Sequence, residues 1–516
     1  MMAQQKSRLG FVIAGLLLGI FVAAIDNTIV ATAMGTIVSD LGGMEMFVWV
    51  TSAYLVTEMA AMPIFGKLSD MYGRKRFFML GIFLFLIGSI LCGTAGSIVE
   101  LSIYRAIQGI GGGALIPIAF TVMYDVIPPE KRGGMGGLFG AVFGTSSLFG
   151  PLLGAYITDY VDWRWIFYIN LPIGLISLSF IYFFYKESME HSRQKIDWWG
   201  ATTLVGSIIC LMFALELGGQ EFAWDSSIIL GLFAIAAVLM GIFLFVETKA
   251  AEPIISYSMF KFRLFASSTL AALFYGAAFI TFAMYIPIYV QGVTGGSATN
   301  SGLILLPMTL SSVVSAQLGG VLASKTSYRN VMILSAVIFL MGIILLGTID
   351  PDTSKWLLSF YMVVVGLGVG FSFSVLGMAG IHHFDMRQRG SANSTLAFVR
   401  SLGMTVGLTV FGILQRNLLS SKMTDSLPGA AGAEQGSLGN IRELLSPEKR
   451  AEMPEGVLDT IVANLSSSIS TMFMWALVPG GLALIVVLFM GKARLEIPSK
   501  GAKDSGSHPV QLSSEH

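Results

Sequence analysis

From residue 10 onward the chain alternates between apolar stretches of roughly twenty residues and short polar connections. A stretch such as 77–91 is apolar on every face, so it reads as neither a half-buried strand nor an amphipathic surface helix. A hydrocarbon core about 30 Å thick takes about 20 apolar residues in a helix, and inside it only a helix or a closed barrel satisfies the backbone. Barrel strands alternate apolar and polar over about ten residues, which these runs do not. The pattern therefore predicts spanning helices at about 10–34, 47–66, 77–95, 99–127, 135–158, 164–185, 199–217, 227–246, 264–291, 300–324, 330–348, 356–380, 391–415 and 468–490, fourteen in all. The fold class is an all-α polytopic membrane protein.

Composition agrees. Of the 516 residues 54% are hydrophobic and 12% charged, where soluble domains carry about 25% charged residues. That excludes a soluble enzyme of ordinary make-up. The 31 Lys plus Arg balance the 31 Asp plus Glu, so no nucleic-acid partner is indicated. The bias lies in placement: the termini and even-numbered connections hold most of the Lys and Arg, which predicts both termini in the cytoplasm. Lys6 and Arg8 before the first apolar run imitate a signal peptide, yet the run continues past Asp26 and reads as an uncleaved span. Cys92 and Cys210 lie in apolar runs, the five histidines lie outside them, and no phosphate-binding loop is present. No enzyme activity, metal or cofactor is expected.

Self-similarity divides the chain. Arg132-Gly133 precedes span 5 and Arg389-Gly390 precedes span 13, and the same shift carries Gly150 onto Gly407. Gly66 closing span 2 matches Gly320 closing span 10 at nearly that offset. Spans 1–6 and 9–14 thus form two halves with spans 7 and 8 inserted. The expected division is 1–185, a six-helix bundle; 186–263, a two-helix insertion; 264–492, a second bundle containing a long extracellular loop at 417–467; and 493–516, a disordered cytoplasmic tail.

Between spans 2 and 3 stands Gly66-Lys67-Leu68-Ser69-Asp70-Met71-Tyr72-Gly73-Arg74-Lys75-Arg76. A loop serving only to set orientation needs no Asp70. This stretch resembles the loop signature of the major facilitator superfamily. Arg105-Ala106-Ile107-Gln108-Gly109 in span 4 is similar to that family's buried-arginine motif, and Gly150-Pro151-Leu152-Leu153-Gly154 in span 5 to its antiporter motif. Ala24-Ile25-Asp26-Asn27-Thr28 in span 1 and Trp163-Arg164-Trp165, leading to Asn170-Leu171-Pro172, look like the 14-span drug:H+ antiporter branch. Ala155 and Ser324 depart from the family pattern. The resemblance implies a major facilitator fold, two six-helix bundles plus two inserted helices. It also implies proton-coupled export of amphiphilic drugs or toxic compounds by alternating access, in a bacterial inner membrane. Export of an endogenous lipid or metabolite, and less strongly a nutrient symport, are the alternatives.

Candidate chemistry follows from charges that spans ordinarily reject. An ionised carboxylate inside a span is costly, which makes Asp26 the first candidate for carrying a proton. Arg105 stays charged and needs a partner; Asp26 is the expected one, because spans 1 and 4 of the resembling family face one cavity. Glu58 lies one turn beyond Tyr54 on span 2, a second proton or cation site. The proton-coupling set is thus Asp26, Arg105 and Glu58, and the cavity set Asp26, Tyr54, Glu58, Gln108 and Arg400. Arg400 is the second half's buried charge, with no acid in spans 9, 10, 12 or 13, which argues against permanent dications as substrates. Family resemblance makes Gly66, Asp70, Gly73, Arg74 and Asp125 a cytoplasmic latch, and Gly150, Pro151 and Gly154 the mark of export. Expected partners are small amphiphilic molecules, protons and the lipid bilayer, with the protein working as a monomer.

Overall fold

A computed structural model describes residues 2–42, 47–187, 197–219, 221–250, 252–296, 298–426 and 455–495. The first bundle runs α1 (Met2–Leu41), α2 (Phe47–Tyr72), α3 (Arg74–Gly93), α4 (Ile98–Val126), α5 (Met135–Tyr160), α6 (Trp165–Tyr168) and α7 (Asn170–Phe184), with a 3-10 turn at Pro129–Gly134. The insertion is α8 (Trp198–Leu217) and α9 (Ser227–Glu247), followed by the short α10 (Tyr257–Lys261). The second bundle comprises α11 (Arg263–Gly292), α12 (Ala298–Lys325), α13 (Tyr328–Leu346), α14 (Lys355–Ile381), α15 (Arg389–Ser426), α16 (Glu455–Trp475) and α17 (Leu477–Leu488). Thirteen helical runs among the described residues are long and apolar enough to cross a membrane. The 26-residue α2, packed along α4, makes the fourteenth.

Packing repeats between the halves. α1 lies on α5, α2 on α4 and α3 on α4; correspondingly α11 lies on α15, α12 on α14 and α13 on α14. The inserted α8 seats against α2, where Leu204, Ile208 and Met212 meet Met59 and Met62, with Phe398 of α15 in the same cluster. Trp49 and Phe213 close this contact edge to face, centroids 4.8 Å apart.

Several boundaries differ from the sequence reading, among them the 66–76 connection, which is the end of α2, Gly73 and the start of α3. The 417–467 loop is shorter than expected, because α15 continues to Ser426 and α16 begins at Glu455. These two helices are tied together by Lys422 donating to Ser467 and Asn464 donating to the Lys422 carbonyl at 3.3 Å, and Ile461, Val462 and Leu465 of α16 are buried. Residues 427–454 lie outside the described residues. The expected disordered tail is ordered at its start: Ala493 accepts the Tyr328 amide at 2.9 Å, and Leu495 is buried while donating to Ala323 at 2.9 Å. Residues 496–516 lie outside the description. Span 6 is two helices broken at Ile169, with Pro172 in the first turn of α7, where its missing amide hydrogen is no loss.

Candidate functional site

The centre of the first bundle is a closed polar network. α1 contributes Asp26, α4 contributes Arg105 and Gln108 from one face three residues apart, α3 contributes Ser89, and the break before α7 turns Asn170 inward. The Arg105 guanidinium pairs directly with Asp26 Oδ2. Oδ1 accepts Gln108 Nε2 and Asn170 Nδ2, each at 2.9 Å. Arg105 Nη1 also reaches Gln108 Oε1 at 2.7 Å and its Nε the Val50 carbonyl at 3.3 Å, while the guanidinium lies 4.2 Å from the Tyr54 ring centroid. Ser89 accepts from Asn170 at 3.0 Å and donates to the Phe167 carbonyl at 2.8 Å. Asp26, Tyr54, Gln108, Ser89 and Asn170 are all 0% exposed. Charge-assisted bonds of this kind are about twice as strong as neutral ones. In a buried setting, taking one partner out of such a set is costly.

The remaining cavity candidates stand apart from this network. Glu58 is buried on α2 and makes no ion pair among the described residues. Arg400 is half-buried on α15, 3.4 Å from the Ser372 carbonyl and 5.2 Å from the Phe373 ring centroid, again without a carboxylate.

At one end the bundles are joined through residues 66–76, the last turns of α2 and the first of α3. Asp70 Oδ2 accepts the Ser391 amide at 2.7 Å, and Oδ1 the Gly390 amide at 2.9 Å and Arg74 Nη2 at 3.1 Å. A carboxylate of the first bundle therefore caps the N-terminus of α15, where unpaired amides and the helix dipole favour negative charge. Arg74 also pairs with Asp125 and donates to the Met386 carbonyl, while Arg389 Nη1 bonds Asp125 Oδ1 at 2.7 Å. Gly73 takes φ 105°, a conformation that L side chains rarely adopt, and so permits the turn from α2 into α3. A Cβ on Gly66 would lie 2.8 Å from the Gly390 carbonyl oxygen and closer still to Ser394, so glycine lets the two helices touch there. The insertion is tied in as well: Lys67 pairs with Glu252 at 2.7 Å and Ser391 donates to the Ile254 carbonyl at 2.9 Å.

In α5 the glycines serve two neighbours. Gly136, Gly137, Gly140 and Gly144 abut the second bundle at Ser374, Gln317, Val313 and Thr309, whereas Gly150 and Gly154 abut Thr28 and Thr32 of α1. Pro151 lies inside the helix between these two. The Trp163-Arg164 pair closes the far end of α1, with Trp163 Nε1 on Asp40 at 2.9 Å and Arg164 on the same carboxylate at 3.1 Å.

Sequence reasoning placed Asp26 with Arg105 and Gln108, and Asp70 with Arg74 and Asp125. It did not list Asn170, Ser89, Arg389, Gly390 or Ser391. In the sequence Asn170 and the Arg389-Gly390 pair stand out only as motif and repeat positions; Ser89 carries no signal among the many serines of spans.

Comparison with known proteins follows the same lines. The family model described as Major Facilitator Superfamily matches residues 16–198 and 190–408. Multidrug resistance protein 3 of Bacillus subtilis (strain 168) is 54% identical over 498 residues, covering 96% of this chain and 97% of that protein. Multidrug transporter protein MdtP of the same organism is 35% identical over 520 residues, covering 97% and 96%. Among solved structures, the human organic anion transporter MFSD10 (TETRAN) superimposes with a TM-score of 0.59 at 13% identity, covering 93% of this chain and 99% of that one. The proton:xylose symporter XylE gives 0.59 at 15% identity, covering 95% and 98%. At these identities the structural likeness bears on the fold alone.

Proposed function

The chain belongs to the Major Facilitator Superfamily, and from that premise we propose that it is a proton-coupled antiporter exporting amphiphilic drugs or toxic compounds from a bacterial cell. The observation that carries the reading is the buried Asp26–Arg105 pair, together with a cluster of charges around Asp70 and Asp125 that ties the two bundles together. Relatives named for multidrug resistance and multidrug transport support the substrate class. With both termini cytoplasmic, the latch lies on the cytoplasmic side and this conformer faces outward.

In this scheme a proton from outside neutralises Asp26 and releases Arg105 from its counter-charge. Gln108 and Asn170, which hold Oδ1, keep the neutral carboxyl in place. The changed α1–α4 contact favours opening of the latch, the proton leaves to the cytoplasm, and a substrate entering between the bundles near Glu58 and Arg400 favours the deprotonated state. Linkage then makes proton and substrate weaken each other's binding equally. The proton gradient supplies the work, without metal or organic cofactor, and a monomer suffices. Export of an endogenous lipid or metabolite would use the same site. Nutrient symport is disfavoured by Gly150-Pro151, whose counterpart in the second half is Gly407-Leu408.

The test is substrate-triggered proton release from everted vesicles carrying an imposed gradient, for wild type and Asp26→Asn, across cationic, zwitterionic and neutral drugs. Release by wild type alone is expected. Equal release by Asp26→Asn would remove that residue from coupling, and silence of the wild type beside a responding control exporter would redirect the search to metabolites and lipids.

A further inference from the structure

The turn between α12 and α13 is the second-half counterpart of the latch loop, and it has lost its acids. At the offset that aligns Gly66 with Gly320, Ser324 stands for Asp70 and Tyr328 for Arg74. At the end of α14, where α4 carries Asp125, stands His382, its Nδ1 3.4 Å from the Tyr328 hydroxyl. Cations nevertheless gather there, Arg329 standing for Lys75 at the same offset. Lys325 and Arg329 from the turn, with Lys492 and Arg494 from the segment after α17, line one cavity of ≈ 400 Å³ whose wall contains no acidic residue.

None of these four cations is in an ion pair among the described residues. The segment carrying Lys492 and Arg494 is fixed rather than adventitiously close. The Tyr328 amide donates to Ala493, the Leu495 amide donates to Ala323, both at 2.9 Å, and Leu495 is buried. Arg329 Nε is buried without a hydrogen-bond partner. The N-terminus of α13, capped by Ser327, adds its partial positive charge to the wall. Concentrating four like charges is unfavourable unless an anion shares the space. A guanidinium pair with two ammonium groups suits a phosphate, which offers several acceptor oxygens for forked donation.

We propose that this cavity binds a phosphate group, from an anionic lipid headgroup at the bilayer surface or from a soluble phosphate compound. The turn lies on the latch side of the membrane, at the level where spanning helices end, and basic pockets there meet headgroup phosphates. Naming that side cytoplasmic rests on the orientation proposed above; the site itself does not.

The full-length protein in detergent is titrated separately with phosphatidylglycerol mixed micelles, phosphatidylcholine mixed micelles and inorganic phosphate, reading the unfolding temperature. Phosphatidylglycerol is expected to raise it and phosphatidylcholine to leave it unchanged. Arg329→Gln/Arg494→Gln should match wild type in phosphatidylcholine and need about thirtyfold more phosphatidylglycerol, the effect of two lost surface charges. Lys492→Gln, an exposed change, gives a smaller shift in the same direction if the double variant is unstable, and Lys261→Gln, on α10, behaves as wild type. A rise with inorganic phosphate that removes the response to lipid supports the site and assigns it to soluble phosphate. Equal responses of wild type and the variants, a rise with phosphatidylcholine alone, or no response of wild type to lipid or phosphate would overturn the proposal. No arm measures transport, so these outcomes are separable from those of the vesicle assay.

Discussion

Asp26 and Arg105 show what a single charge in an apolar run implies. Neither is tolerated alone in a bundle interior, so each predicts a partner, and the geometry supplies it. Replacing one partner is expected to destabilise the protein by about 3–5 kcal/mol, because the other is left buried and unpaired. Arg105→Gln alone should therefore lower the unfolding temperature in detergent sharply, and the Asp26→Asn/Arg105→Gln pair should recover much of the loss. A strictly additive double variant would show that the two groups are not energetically coupled. Asn170 and Ser89 were illegible for the complementary reason. Uncharged polar side chains are cheap enough in spans to occur without function, so only contact with Asp26 distinguishes them.

Among the elements, α2 and α15 join the two bundles at the Asp70 end. Gly66 sits where α2 crosses the N-terminus of α15, and the missing side chain there permits Asp70 to reach the amides of Gly390 and Ser391. Gly66→Leu is expected to hold these helices apart and shift the population toward the conformer open at that end. Spin labels at Arg76→Cys and Arg387→Cys in a cysteine-free background would report it as a longer mean distance. An unchanged distance distribution would show that the α2–α15 contact does not govern closure. The sequence marked the loop glycines and charges, but not α15 as their receiver. A helix start that accepts a distant carboxylate as its cap looks, residue by residue, like any other glycine-serine turn.

Across the whole molecule the latch draws on three parts of the chain: the first bundle through Asp70, Arg74 and Asp125, the second through Arg389 to Ser391, and the insertion through Glu252 and Ile254. Their contributions are unequal. Arg74 and Asp70 are almost wholly buried, whereas Lys67 and Glu252 keep 18% and 29% side-chain exposure and form a pair worth about 0.2–1 kcal/mol. With the same labels, Asp125→Asn should widen the separation, since it removes the carboxylate paired with Arg389 and one of the two paired with Arg74, and Glu252→Gln should leave it nearly unchanged. A larger effect of Glu252→Gln would make the insertion the principal fastening.

The sequence by itself determined the membrane class, the fourteen spans, the doubled bundle and the identity of the costly charges. These follow from local quantities: the hydropathy of a run, its length against the bilayer, and the price of an ion in hydrocarbon. Tertiary structure decided which neutral side chains complete the Asp26 network, that α15 is capped from the other bundle, that 417–426 and 455–467 are helical, and that the segment after α17 folds back to gather four cations. Each of these depends on groups far apart in the chain meeting at hydrogen-bond distance, and residue pattern carries no such distance.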